Sequence, residues 1–204
     1  MATVSTFFQN VRYNLRDFNK QDFSDPQLLI YLNRAVRILD TELMRQRSDW
    51  TVSTEDVTLS SGEYQMSAPT SCSTVRYIYI DQVLRREISI DSIIRMRILD
   101  TSSGEPQYWS QSGQYIDWDR VADQDYTCTC IYDKWTATLT TSSDMPYNSE
   151  YDNYLLDGTV IMANAGKKKD ISPVDQQIHS LFRNVLMRDI VARNFKKRPY
   201  KMDY

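Results

Sequence analysis

The chain has 204 residues, 41% apolar and 25% charged, with one histidine, three cysteines and five glycines. That is enough to bury a real core, and the usage is that of a globular protein, which excludes wholesale disorder. Mean hydropathy is −0.54; no run approaches the ~20 apolar residues of a membrane span, and Met1–Ser5 lacks the basic and long apolar stretches of a secretory signal, so no membrane partner is expected.

The net charge of −3 is unevenly spread. Residues 1–50 carry +1, residues 51–165 carry −10 and residues 166–204 carry +6. An acidic middle with a basic end predicts two surfaces for different partners, beside the plainer reading of uneven solvation.

In chain order, Val4, Phe7, Phe8, Val11 and Leu15 fall on one face of a first helix. Ser24-Asp25-Pro26-Gln27 then reads as an N-cap, a first-turn proline and a capping-box glutamine. Leu28, Leu32, Ala35, Val36, Leu39 and Leu43 line the inner face of this second helix to about Arg47. Arg34, Arg37 and Arg45 lie on its other face, either solvated or forming a subunit contact.

From Trp50 the period changes to two. Val57 and Leu59, then Ser60-Ser61-Gly62, then Tyr64 and Met66 predict a hairpin. Thr74–Asp81 (TVRYIYID) is a strong strand, rich in β-branched and aromatic residues. Asp91–Leu99 returns to helical spacing and is broken by Gly104-Glu105-Pro106. Tyr108–Trp118 predicts a second hairpin with Ser112-Gly113 at its tip, and Tyr126–Tyr132 a further strand. Residues 140–150 read as a polar loop.

Helix resumes near Glu150, with Tyr151, Tyr154, Leu155, Met162 and Ala165 on one face and Gly166 closing it. Ser172-Pro173 opens a last helix whose inner side is Val174, Ile178, Leu181, Phe182, Val185 and Leu186. It ends before Pro199. The predicted fold class is therefore α+β and mainly helical: a bundle of terminal helices with an inserted β-rich projection. The divisions are residues 1–49 (N-terminal helices), 50–149 (β-rich insertion with one short helix), 150–195 (C-terminal helices) and 196–204 (a basic arm).

Chemistry is hard to find. The chain has no P-loop, no dinucleotide fingerprint and no nucleophile-elbow pattern. His179 sits beside Ser180 on a predicted helix, where neighbours do not face each other. Cys128-x-Cys130 puts two thiols on one face of a strand, and with Cys72 they lack the spacing and the further ligands of a zinc site. Asp117 and Asp119, flanking Trp118, read as solvated strand carboxylates rather than a pair across a cleft. No catalytic residue, metal or cofactor is expected. Tyrosine (14) and tryptophan (4) are plentiful, many of them in the middle of the chain, and such residues suit protein interfaces.

Four stretches carry a resemblance. They are LLIYLNRAVRILDTELMRQRSDW; the Gly62-Glu63-Tyr64 hairpin leading through Ala68-Pro69 to TVRYIYI; Glu105-Pro106-Gln107-Tyr108 followed by Gly113-Gln114-Tyr115-Ile116; and Tyr126–Tyr132 with Asp144-Met145-Pro146 and YDNYLLDGTVIMANA. Together these resemble the head-to-tail connector, or adaptor, proteins of tailed bacteriophages. Val121-Ala122 stands where prolines are expected in that family. The resemblance implies a structural, non-enzymatic ring subunit, usually one of twelve copies, that docks beneath the portal protein around the DNA exit channel. It places the chain at the head–tail junction of the virion, and in the host cytoplasm before assembly. A portal-binding arm of Arg193, Phe195, Lys196, Lys197, Arg198, Tyr200, Lys201 and Tyr204 is expected. Tyr108, Trp109, Tyr115 and Trp118 are expected to face a tail or nozzle protein or tail fibres. The alternatives are a tail-associated glycan hydrolase using Glu105, Asp117 or Asp119, and a small DNA-binding protein using the basic tail.

Overall fold

A computed structural model describes residues 3–147 and 149–167, together with Ser180 and Asn184. The chain divides into two compact units, one of residues 1–48 with 136–204 and the other Asp49–Trp135. Of the helix expected from Ser172 only Ser180 and Asn184 are described, both helical, and the arm of residues 196–204 lies outside the described residues.

The first unit is helical. Helix α1 (Val4–Leu15) starts at Thr3, whose side chain accepts a hydrogen bond from the Thr6 amide. Val4, Phe7, Phe8, Val11 and Leu15 are all buried, as their spacing predicts. Helix α2 (Asp25–Arg45) has the complete capping box: Ser24 Oγ accepts from the Gln27 amide and Gln27 Oε1 from the Ser24 amide. Helix α4 (Ser149–Gly166) buries Tyr151, Tyr154, Leu155 and Ala163 against the same core.

The segment before α4 contributes more than a polar loop would. Leu139, Met145 and Tyr147 are buried in the helical core. Asn33 braces it, accepting from the Leu139 amide at 2.8 Å and donating to the Leu139 carbonyl at 3.2 Å. Asp40, fully buried on α2, accepts from the Thr136 amide and hydroxyl and from the Tyr147 hydroxyl. Burial and that carboxylate push the Tyr147 phenol up, so it stays a proton donor to Asp40.

Asp152 on α4 has no such support. Its Oδ1 is buried without a hydrogen-bond partner, and desolvation raises its pKa above the usual 3.8. Ionised Asp152 therefore opposes folding at neutral pH, and the penalty disappears once pH falls below both its folded and its unfolded pKa. Asp152→Asn is expected to raise the thermal midpoint at pH 7 and to lose that advantage near pH 3. Parallel thermal scans at the two pH values measure it.

The second unit is a seven-stranded sheet: β1 (Val52–Leu59), β2 (Gln65–Ser67), β3 (Cys72–Ile80), β4 (Val83–Glu87), β5 (Tyr108–Ser112), β6 (Tyr115–Trp118) and β7 (Tyr126–Lys134). The spatial order is β1-β7-β3-β4-β5-β6-β2. The two outer strands, β1 and β2, are joined by the hairpin at Gly62 and touch, so the sheet nearly closes into a barrel. All pairs are antiparallel except β4 with β5, which are parallel and linked through helix α3 (Ile90–Leu99). The β3–β4 turn has positive φ at both Asp81 and Gln82, the two-residue geometry that suits the twist of a hairpin.

This overturns the mainly helical bundle. Among the described residues seven strands outnumber four helices, and the sheet has a core of its own. Leu59, Ile78, Ile80, Trp109, Ile116, Trp118, Cys128 and Cys130 fill the barrel at 1% exposure or less. Helical periodicity is read within a dozen residues. Closure of this sheet depends on pairings such as Leu59 with Tyr126, which no local pattern reveals.

Candidate interaction surfaces

The groups that sequence reading offered for chemistry serve the barrel. Asp117 and Asp119 are buried, not solvated. Asp117 Oδ1 accepts from Arg97 and from Gln65, each at 3.2 Å. Asp119 Oδ1 accepts from the Gln107 and Tyr108 amides at 2.9 and 3.0 Å, and its Oδ2 takes Arg120. Glu105 pairs with Arg85, a buried guanidinium that also reaches Gln107. Each carboxylate is tied to the sheet or its flanking loops. Burial pushes the thiols of Cys128 and Cys130 up to about 12 and that of Cys72 to about 11, far from thiolate at neutral pH.

The aromatic residues separate sharply. Trp109 and Trp118 lie in the barrel core at 1% and 0% exposure, and Trp109 Nε1 donates to the Arg85 carbonyl. They are held inside this unit and present no surface. Tyr108 is half-buried, while Tyr115 is 51% exposed. Two further tyrosines, Tyr64 and Tyr77, are comparably exposed. The Arg97 guanidinium stacks 4.1 Å from the Tyr64 ring centre, which fixes the ring at the surface. Alternation along the strands separates inner from outer positions only where the register is known. Trp109 and Trp118 face each other across the β5–β6 ladder, and that pairing is non-local information.

On the helical unit, Arg34, Arg37 and Arg45 are exposed on α2, and Arg45 lies 3.6 Å from Glu42. On the barrel unit, α3 leaves Ile94, Ile98 and Leu99 exposed while burying Ile93. Ile90, Ile93, Ile94, Arg97 and Ile98 recur at helical spacing, and of these only Ile93 is fully buried. The arm residues Arg193, Phe195, Lys196, Lys197, Arg198, Tyr200, Lys201 and Tyr204 are outside the described residues.

Among the described residues no cluster of three or more His, Cys, Asp or Glu could hold a metal ion, and the exposed side chains offer docking chemistry. A sequence profile of the SU10 adaptor protein family matches residues 2–195. The chain belongs to that family. No curated protein matches it. As an SU10 adaptor protein it is a phage structural component, built into the virion and in contact with other head or tail components. A structural component of this kind works through its contact surfaces. A rigid barrel with exposed tyrosines, a helix edged with arginines and an apolar stripe on α3 are surfaces suited to it.

Proposed function

We propose that this adaptor forms a closed ring, of twelve copies, between the portal protein and the tail, around the channel through which DNA leaves. The family match over residues 2–195 carries this reading. The residues from Arg193 to Tyr204 reach the portal, with basic groups meeting acidic ones and aromatic residues acting as anchors. Arg34, Arg37 and Arg45 meet a neighbouring subunit. Tyr115 and the half-buried Tyr108 face a tail or nozzle protein or tail fibres, with Trp109 and Trp118 fixing the strands that present them. The barrel suits such a role because buried ion pairs lock its surface. Arg76 grips Asp133 through two bonds of 2.8 and 2.6 Å, and Asp133 also holds the Thr51 hydroxyl.

Glu105, Asp117 and Asp119, the carboxylates named for the glycan-hydrolase alternative, each make an ion pair or hydrogen bonds within the barrel unit. The test of the proposal is genetic. A phage carrying a nonsense mutation in this gene should fill heads with DNA and release them without tails, and the protein supplied in trans should restore tailed particles. Tailed, infectious particles formed without the protein would overturn it.

A further inference from the structure

Helix α3 carries an apolar patch that its own barrel leaves open. Ile94, Ile98 and Leu99 are 47%, 74% and 86% exposed. Ile94 and Ile98 are one turn apart and form an apolar strip, with Leu99 exposed about 100° further round the last turn of the helix. Asp91 stands one turn before Ile94 on the same stripe. A patch of this kind on a soluble unit marks a contact surface.

Helix α2 carries a stripe of complementary character. Ile30, Arg34, Arg37, Ile38, Thr41 and Arg45 recur on one face, all exposed, with Ile30 at 53% and Ile38 at 45%. The unit that bears α3 holds 14 acidic against 7 basic residues, net −7. Resting on the ring reading above, we infer that α3 of one copy docks on the exposed face of α2 of its neighbour. The isoleucines and leucine of α3 cover Ile30 and Ile38, and Asp91 and the acidic barrel face the arginines. Arg95 lies on the same arc of α3, between Ile98 and Leu99, and its exposed side chain is long enough to carry its charge out to water at the edge of the contact.

Symmetry favours this pairing over α3 against α3. A ring of identical copies needs two different, mutually complementary faces on each chain, whereas a face that meets itself closes at a dimer. One chain here supplies both: an apolar patch on an acidic unit, and an apolar stripe edged with arginines.

The test is cross-linking between copies. In a Cys72→Ser background, the Leu99→Cys and Ile38→Cys proteins are mixed on portal rings of the same phage and treated with a short bis-maleimide. Covalent dimers joining the two variants are expected, and none from either variant alone. Both side chains are exposed, so the variants should melt with the parent protein. Ile98→Asp, also at an exposed position, should reduce ring formation by more than roughly tenfold without changing the thermal midpoint. If parent copies close a ring on the portal but no mixed dimer forms, or Ile98→Asp rings form normally, the inference is overturned and the ring reading stands. Cross-linking of Leu99→Cys to itself would show a self-meeting face and would also overturn it. So would Ile98→Asp rings that form but fail to hold tail components, which would make α3 a tail-docking surface. If the parent protein forms no ring, the ring reading falls and this contact with it.

Discussion

Replacing Arg12 with alanine is expected to destabilise the helical unit by about 3 kcal/mol, because it strands a buried charge. The Arg12 side chain is 7% exposed and that of its partner Asp17 is 3% exposed. The guanidinium donates to Asp17 and to the Phe23 carbonyl at 2.8 Å each, and also to Asp25. It thereby ties the end of α1 to the turn before α2 and to the first residue of α2. Removing it leaves Asp17 with only the Asp22 and Phe23 amides, and leaves the Phe23 carbonyl without this donor. Lysine cannot replace it, since one ammonium cannot serve three acceptors in a fixed fork.

The same cluster sets an acid response. The hydrogen bond from Arg12 is the main reason that the Asp25 carboxyl sits below its usual 3.8, with Lys20 adding to it. A lowered carboxylate pKa contributes stability above its unfolded value, and that stability is lost as pH falls through the folded one. Arg12→Ala should therefore show a weaker loss of stability between pH 5 and 3 than the parent protein. Helical circular dichroism in urea reports the loss at neutral pH as a lower midpoint. All four tryptophans lie in the barrel unit, so their fluorescence follows that unit separately. An unchanged helical midpoint in Arg12→Ala would refute the role given to this cluster.

Deleting residues 196–204 is expected to abolish portal docking while leaving thermal unfolding nearly unchanged. The segment holds Lys196, Lys197, Arg198 and Lys201 against Asp203, net +3, together with Tyr200, Met202 and Tyr204. In the proposed ring many arms would act at once, so avidity would multiply a modest affinity and its loss would be large. Docking of the full chain should weaken with added salt, because rim charges are screened. Co-sedimentation with purified portal measures both effects. Normal docking by the truncated protein would reduce the segment to a solubilising end.

Local chemistry was readable where it was self-contained. The capping box at Ser24, the buried stripe of α1 and the return to helix before Tyr151 each rest on residues within a few turns of one another. Strand β4 was missed because Val83-Leu84-Arg85-Arg86-Glu87 buries only Arg85, so its alternation runs against polarity. That arginine is tolerated inside because Glu105 and Gln107, about twenty residues on, receive it. The burial of Leu139, Met145 and Tyr147 was missed for a similar reason. Their partners Asn33 and Asp40 lie about a hundred residues upstream, and the intervening sequence is polar. Among the surfaces, the arginine face of α2 was legible from periodicity alone. Whether a given aromatic faced in or out was not, since Trp118 and Tyr115 sit on one short strand and differ only by register.

The most direct measurement of the proposed ring is the mass of the species formed when purified protein is mixed in excess with purified portal, with an image of the same sample. The expected result is a portal carrying twelve copies as a closed ring on one face. A portal bound by a single copy, an open filament, or no bound protein at all would contradict it.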